Sequence, residues 1–184
     1  MELSYNVEKI MIGFSGKTLQ SERLTYRLLT DGDKLVLKLL LSTRDVTAPA
    51  GFLPAENDAE FDRFFENLTK YGTGVAVLLD FKLIGYFHVN KYHADGYFAD
   101  KNCVGVGFVI GKEYQEQGYG KEMLKAMSSY LTDTFDACFG DAFSENERSI
   151  RTLVSCGYRY VEDYSLFFEE LGEKKTCKSY VFTK

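Results

Sequence analysis

The sequence predicts a mixed α/β layered domain, and three observations lead to this class. Apolar runs rich in β-branched and aromatic residues alternate along the chain with amphipathic helical patterns. The chain has 184 residues, 45% of them apolar, which suits one domain around one core. It has only two prolines, and we find neither repeats nor Pro/Gly-rich linkers. The predicted order is strand, two helices, three strands, helix, strand, helix and two strands.

The first half of the chain supplies a strand, two helices and a hairpin. Alternation of apolar and polar residues predicts the opening strand, and a turn-like TDGD with Asp31 or Asp33 as N-cap precedes the first helix. Asn57 or Asp58 caps the second helix, and Asp80-Phe81 separates the hairpin strands. The predicted ranges are a strand over 23–29, helices over 34–42 and 56–71, and hairpin strands over 74–80 and 82–90.

The second half alternates strands and helices. A β-branched, glycine-spaced run predicts a buried strand, and Met123, Leu124 and Met127 share one face of the helix that follows it. Gly157 stands at the C′ position of the last helix. The predicted ranges are strands over 103–110 and 137–143, helices over 119–135 and 146–158, and closing strands over 159–171 and 174–184.

Composition excludes several classes of function. A net charge of −5 argues against nucleic acid and mildly favours a cationic binding partner. No apolar run approaches the roughly 18 residues of a membrane span, and the N-terminus lacks the pattern of a secretory signal, so we expect a cytoplasmic protein. The four cysteines form no C-x-x-C pair and are expected to be reduced. His88 and His93 alone make a poor metal site, so no metal is expected.

The segment QEQGYG, residues 115–120, lies between the strand over 103–110 and the helix over 119–135. A glycine-punctuated strand-to-helix turn makes an anion site, because free N–H groups converge there and glycine lets a phosphate approach the backbone. Two known phosphate loops are excluded. Met11 stands where a Walker loop ending in Gly16-Lys17-Thr18 needs glycine, and Ile110 stands at the third glycine position of a dinucleotide fingerprint.

The pattern that fits is Q-x-x-G-x-G, and with it the sequence resembles the GNAT (N-acetyltransferase) superfamily, within it the RimJ/RimL-like branch. Residues 21–33, 44–61, 106–127 and 144–162 each resemble segments of that branch. The resemblance covers residues 19–184 as one domain and leaves residues 1–18 as an N-terminal extension. It implies a central, mostly antiparallel twisted sheet with helices on both faces.

The resemblance also implies acetyl-CoA as co-substrate and a set of contacts to it. Backbone N–H groups of the loop would hold the pyrophosphate, the strand edge would pair with the pantetheine amides, and an N–H near Val109 or Ile110 would stabilise the oxyanion. Asn146 would bind the pantetheine arm, act as a plain N-cap, or do both. The implied cofactor-binding residues are Phe108, Val109, Ile110, Gln115, Glu116, Gln117, Gly118, Tyr119, Gly120, Lys121 and Asn146.

The catalytic acid and base are less well defined. Many relatives place a tyrosine acid seven residues after the asparagine, where this chain has Leu153, which cannot donate a proton. Ser149 is then the candidate acid, unless it is only a small residue beside the cofactor. Asp141 is the candidate base, unless it is a solvated turn carboxylate, and His88 and His93 are other candidates.

The predicted function is transfer of the acetyl group from acetyl-CoA to a primary amine by direct attack in a ternary complex. The acceptor is either a protein N-terminus, as the branch implies, or a small-molecule amine. An open acidic groove would favour a peptide, whereas a closed aromatic pocket, to which the aromatic residues of 85–98 could contribute, would favour a small molecule. The alternative is a non-catalytic coenzyme A-binding sensor or interaction module. Monomer and homodimer both remain open.

Overall fold

The computed structural model describes residues 18–71 and 73–184. The predicted N-terminal extension, residues 1–18, therefore lies outside the described residues except for Thr18. The strands form one sheet in the order β1-β2-β3-β4-β5-β6-β8-β7. Their bounds are β1 Leu19–Gln20, β2 Leu24–Leu28, β3 Thr73–Leu79, β4 Lys82–Tyr92, β5 Cys103–Ile110, β6 Ala137–Phe143, β7 Arg159–Phe168 and β8 Glu173–Phe182.

Helices pack on both faces of this sheet, and neighbouring strands are antiparallel except for the parallel pair β5–β6. The helices are α1 Lys34–Leu40, α2 Arg44–Thr47, α3 Asp58–Glu66, α4 Tyr119–Leu131 and α5 Glu147–Ser155. The predicted fold class is thus confirmed. Within the described ranges we find no helix with the length and apolar character needed to cross a membrane.

Local sequence signals are confirmed where they concern turns and caps. Asp80 and Phe81 both have positive φ (47° and 64°), as a two-residue hairpin turn that matches strand twist requires. The Asn57 side chain accepts from the Glu60 N–H at 3.0 Å and caps α3. Gly157 has φ 90° just beyond α5. β1 and α2 were not predicted, because two and four residues are too few to show a period.

One predicted cap behaves differently. Asp33 does stand at the N-cap position of α1, but its side chain does not cap the helix. Its carboxylate instead accepts from both terminal nitrogens of Arg27, at 2.6 and 2.7 Å, and from Thr30. The guanidinium of Arg27 is a charged donor with two parallel N–H groups, and it binds a carboxylate more strongly than a backbone N–H does. This explains why the Asp33 carboxylate pairs with Arg27 and does not cap α1.

The alternation of side chains along β5 divides the site into two faces. Phe108 and Ile110 pack with the cluster beneath α4 and α5, whose centre includes Met123 and Leu124. Val109 packs with the cluster beneath α1 and α3 on the other face, together with Tyr86. Burying such side chains stabilises the fold by roughly 1.5–3 kcal/mol each, so the direction of each β5 residue is firmly fixed.

β5 and β6 separate at their carboxyl ends. Their pairing runs only from Cys103–Ala137 to Val106–Gly140. β5 continues on β4 as far as Ile110, while β6 continues on β8 as far as Phe143. A gap therefore opens beside the second half of β5, where one edge of the strand is left without a recorded pairing among the described residues.

Candidate active site

The gap leads into a cleft of about 1270 Å³. Its walls come from β4, β5, β6, the loop between α2 and α3, and the N-terminal turns of α4 and α5. A site for one drug-sized ligand usually measures about 300–1,000 Å³. The cleft therefore has room for more than one small ligand.

The free edge of β5 presents alternate main-chain groups to the cleft. The Gly111 N–H donates to the Ile84 carbonyl of β4 at 2.8 Å. Because main-chain groups in an antiparallel ladder alternate in direction, those of Val109 also point to β4, while those of Phe108 and Ile110 point to the gap. The Gln115 side chain donates to the Ile110 carbonyl at 2.8 Å, which agrees with this direction. Of the two predicted oxyanion donors, Ile110 is the one that faces the gap.

The loop before α4 exposes a run of N–H groups. Glu116 and Gly118 have positive φ (64° and 84°), and the first bond into α4 runs from the Glu122 N–H to the Gly118 carbonyl at 3.0 Å. Among the described residues no acceptor is recorded for the N–H groups of residues 116–121. Gln115 differs, because its N–H donates to the Lys112 carbonyl at 3.3 Å.

The two glycines of the loop are needed for different reasons. Gly118 adopts the left-handed conformation, which other residues enter only with strain. Gly120 is helical, and a Cβ built on it would lie 3.5 Å from the Phe108 ring, which is an ordinary contact. The fold itself would accept a side chain at Gly120. A bare backbone beside unpartnered N–H groups fits a phosphate ligand, and so the pyrophosphate of coenzyme A fits these residues.

Arg23, which the sequence analysis did not single out, supports this loop from the bend just before β2. Its guanidinium bonds Glu122 at 2.7 Å and the Gln117 carbonyl at 3.1 Å, and it lies 4.4 Å from the centre of the Tyr119 ring. Burial of the Glu122 carboxylate acts to raise its pKa, but hydrogen bonds from Ser21 and Arg23 outweigh burial and lower the pKa. The loop is thereby fixed by side chains that lie outside the cleft.

The start of α5 forms the opposite side of the phosphate region. The side-chain oxygen of Asn146 accepts from the Ser149 N–H at 3.1 Å, so its N-cap role is confirmed, and its side-chain NH₂ donates to the Pro49 carbonyl at 3.2 Å. Its contact with pantetheine stays a prediction. Arg148 donates to the Gln115 side chain at 2.6 Å and brings a cation to the cleft. The sequence offered no signal for Arg148, because the resemblance leaves its position variable.

The predicted acid, Ser149 on α5, and the predicted base, Asp141 on β6, both line the cleft. Ser149 is half-buried, and its hydroxyl makes no recorded hydrogen bond to a described residue. Asp141 is exposed and accepts from the Tyr164 hydroxyl at 2.9 Å. Burial and the neighbouring Asp141 raise the pKa of Tyr164, so this phenol stays protonated and continues to donate. Leu153 is buried and packs over Gly140.

His88 is a β4 residue that lines the cleft, and its ring stacks on Tyr86 on the face of the sheet opposite α4. Its ring covers Gly107 so closely that a Cβ there would lie 2.4 Å from the His88 Cε1. The half-buried ring has an Nδ1 with no hydrogen-bond partner among the described residues. Burial lowers the pKa of His88 to about 4, so the imidazole is neutral at pH 7. His93 also lines the cleft but is exposed, beyond the end of β4.

A row of rings continues from His88 toward the cleft mouth. Ring centres are 5.9 Å apart for Tyr86 and His88, 6.1 Å for Phe64 and Tyr86, and 5.2 Å for Phe52 and Phe64. All four residues line the cleft. The aromatic segment over 85–98 is divided between two roles, because Tyr92 and Phe98 pack on Phe139 instead.

The loop between α2 and α3 meets the tip of the β7–β8 hairpin beside these rings. A Cβ on Gly51 would lie 3.1 Å from the Phe168 ring. The Leu53 N–H donates to Glu170 at 3.4 Å. These contacts join the loop to the hairpin at the wall of the cleft that carries the rings.

Comparison with known proteins agrees with this geometry. The sequence profile of the acetyltransferase (GNAT) domain matches residues 23–159. This match spans more than half of the chain, so the chain belongs to the GNAT acetyltransferase domain family. It is an acyltransferase whose co-substrate is acetyl-CoA. A search of curated protein sequences finds no significant match.

Solved structures show the same fold at low sequence identity. A GNAT-family acetyltransferase from Bacillus anthracis is 18% identical with a TM-score of 0.73, and the alignment covers 90% of this chain and 98% of that one. Spermidine N-acetyltransferase from Vibrio cholerae, in complex with CoA and spermine, is 16% identical with a TM-score of 0.73 (88% and 95% covered). Ribosomal-protein-S5-alanine acetyltransferase from Vibrio fischeri is 16% identical with a TM-score of 0.66 (88% and 94% covered).

Proposed function

We propose that this protein is an N-acetyltransferase that acetylates a primary amine by direct attack in a ternary complex. The observation that carries the proposal is the position of the free β5 edge. The unpartnered loop amides lie on one side of this strand, and His88 with the aromatic row lies on the other. Donor and acceptor would thus meet at one strand edge, which is the arrangement that direct transfer needs.

The donor half binds through its backbone. The N–H groups of residues 116–121 would hold the pyrophosphate, with Lys121 and Arg148 adding positive charge. The main-chain groups of Phe108 would pair with pantetheine, and Asn146 is the candidate for a further contact with it. The Gln115 side chain joins β5 to α5, because it donates to the Ile110 carbonyl and accepts from Arg148.

The chemistry requires one proton acceptor, one proton donor and one oxyanion donor. Acetyl-CoA supplies a thioester with an electrophilic carbonyl carbon, which the amine nitrogen attacks. The Ile110 N–H would stabilise the negative charge that develops on the thioester oxygen. His88 would take the proton that the attacking nitrogen loses, with Asp141 as the second candidate. Ser149 would give a proton, directly or through water, to the sulfur as its bond to carbon breaks.

The acceptor is a small-molecule amine in this proposal. Two considerations point to different acceptors, because similarity to the RimJ/RimL-like branch suggests a protein N-terminus, while a neighbour such as spermidine N-acetyltransferase acts on a small amine. The contacts of Gly51 and Leu53 with the β7–β8 hairpin support the small molecule, because they bridge the side along which a peptide would extend.

The test is acetylation of an amine panel, read by mass spectrometry, alongside acetyl-CoA binding followed by calorimetry. We expect transfer to at least one primary amine, and lower kcat in each of His88→Gln, Asp141→Asn and Ser149→Ala if all three roles hold. If acetyl-CoA binds but no amine is acetylated, the protein is a coenzyme A-binding sensor and the proposal is wrong. If acetyl-CoA also fails to raise the Tm at saturation, the donor site is wrong as well.

A further inference from the structure

The acceptor half of the cleft is lined by a row of neighbouring aromatic rings, which the donor half lacks. Three aromatic rings follow one another from the loop after α2, through α3, to β4, and end at His88. Tyr86 is only 2% exposed. The His88 Nδ1 next to it is buried and lacks a hydrogen-bond partner among the described residues. A buried polar atom without a partner beside an aromatic wall marks this end of the cleft as a candidate binding site.

The charges that line the cleft do not suit a polycation. Its carboxylates are Glu116, Asp141 and Glu170, and its cations are Lys91, Lys121, Arg148 and Arg151. On the acceptor side, Asp141 accepts from Tyr164, and Glu170 accepts from the Leu53 N–H. Both donors are neutral, so the acceptor side presents two charged carboxylates, while Lys121 and Arg148 lie on the phosphate side. A polyamine or an aminoglycoside carries several cations and is matched by several carboxylates, so two carboxylates are few for such an acceptor.

Phe52, Phe64 and Tyr86 form an apolar slot that ends at the neutral imidazole of His88. Together they favour one chemical class of amine. Flat aromatic bodies pack well on aromatic walls with ring centres 4.5–7 Å apart, which is the spacing within the row itself. A primary amine that follows such a body would reach His88 with its nitrogen. A dry environment favours its uncharged, nucleophilic form.

We infer that the acceptor is a small monoamine whose primary amine is carried on a flat aromatic body, with the ring along Phe52, Phe64 and Tyr86 and the nitrogen at His88. This inference depends on the proposed function, because it names the acceptor of that reaction. It excludes polyamines, aminoglycosides and protein N-termini as preferred acceptors.

Two probes test the class of acceptor. First, 2-phenylethylamine is titrated calorimetrically into protein saturated with CoA, and spermidine is titrated in the same way. We expect saturable one-to-one binding of 2-phenylethylamine, with a Kd at least tenfold lower than that of spermidine. Second, kcat/KM with acetyl-CoA is compared among 2-phenylethylamine, tryptamine, spermidine, kanamycin and an alanine-initiated peptide. The two arylalkylamines should exceed the others at least tenfold.

A matched pair of variants on α3 tests the position of the ring. Phe64 lines the cleft, whereas Phe61 is 3% exposed and packs in the core beside it. Phe64→Leu should raise the KM for 2-phenylethylamine at least fivefold and leave the KM for acetyl-CoA within twofold. Phe61→Leu should lower the Tm and leave both KM values within twofold. Equal effects of the two variants on the amine KM would contradict the inference.

The outcomes separate the inference from the function on which it rests. A preference for spermidine, kanamycin or the peptide would overturn the aromatic monoamine and leave the acetyltransferase intact. Binding of 2-phenylethylamine without acetylation of any amine would support the slot and overturn the proposed reaction. Failure of 2-phenylethylamine to bind the CoA-saturated protein would overturn the inference in either case.

Discussion

The proposed donor and acceptor halves of the cleft are built in different ways. The proposed donor half relies mainly on main-chain groups of residues 108–121, with the Asn146 side chain as a further candidate contact. The acceptor half uses side chains of Phe52, Phe64, Tyr86 and His88, which come from a loop, a helix and a strand. A site made of main-chain groups depends on where glycine lets a ligand approach the backbone. A short segment of sequence is therefore enough to encode it. A site made of side chains exists only after the helices have packed on the sheet.

The largest expected effect is on the acceptor side, at His88. General-base catalysis contributes roughly 10²–10⁴-fold, so His88→Gln should lower kcat about 100-fold. The KM for acetyl-CoA should change less than twofold, because His88 lies on the opposite face of β5 from the loop. Steady-state kinetics with the best amine measure both values.

His93→Gln is the matched control for this prediction. His93 also lines the cleft but is exposed at its rim. We expect less than a threefold change in kcat. An equal loss in the two variants, or a loss confined to His93→Gln, would remove His88 from the reaction and leave Asp141 as the candidate base.

The second effect concerns stability and pH, and it also depends on His88. Its pKa is about 4 in the folded protein and about 6.5 in an unfolded chain. The unfolded state therefore binds the proton more readily, and stability that is fully present above pH 6.5 is lost as the pH falls toward 4. One pKa unit corresponds to about 1.4 kcal/mol, and we expect about 2 kcal/mol because the ring is partly exposed.

Urea unfolding of the wild type and His88→Gln across pH 4–8 measures this contribution. The difference in unfolding free energy between the two proteins should change by about 2 kcal/mol over the range, with the wild type losing relative stability at low pH. A constant difference would mean that the His88 ring is hydrated and readily protonated.

The donor side gives the third effect, at Gly120. A Cβ there would make ordinary contacts with the Phe108 ring at 3.5 Å and the Ile110 side chain at 4.0 Å, and alanine is favoured over glycine within a helix by roughly 0.5–1 kcal/mol. Gly120→Ala should therefore keep or raise the Tm while it weakens acetyl-CoA binding at least tenfold. Gly118→Ala is the contrasting control. Its φ of 84° should cost about 1 kcal/mol of stability. Unchanged acetyl-CoA affinity in Gly120→Ala would show that no phosphate approaches this backbone.

The smallest effect is expected at Arg148. Its guanidinium bonds the Gln115 side chain, but the residue is exposed, so its charge is screened. Arg148→Ala should weaken acetyl-CoA binding about threefold at low salt and less at high salt. The neighbouring Arg151 is paired with Glu147, and Arg151→Ala should have a smaller effect. A larger loss in Arg151→Ala would place the phosphate nearer the second turn of α5.

The sequence predicted the local features of the fold well. Asn57, Gly157 and the Asp80-Phe81 turn act within a few residues, so their signals survive without tertiary information. The strand, loop and helix around residues 115–120 were predicted for the same reason. The separation of β5 from β6 was not visible, because pairing length depends on both strands and on β8.

Contacts between distant segments were the part that sequence reasoning could not supply. The Arg23–Glu122 pair joins the bend before β2 to α4 across 99 positions of the chain, and neither residue stands out in its own segment. The same holds for Phe52 and Phe64. In the sequence they look like ordinary core residues of a loop and a helix, and only the fold places them in a row with Tyr86. Asn146 shows the intermediate case, since its cap is local and its bond to Pro49 is not.

A crystal structure of the protein with acetyl-CoA tests the division of the cleft most directly. We expect the pyrophosphate within hydrogen-bond distance of the N–H groups of residues 116–121. We also expect the thioester oxygen at the Ile110 N–H, with its carbonyl carbon facing the cavity between His88 and Phe64. A pyrophosphate bound elsewhere, or an acetyl group directed away from the aromatic row, would contradict this division of the cleft.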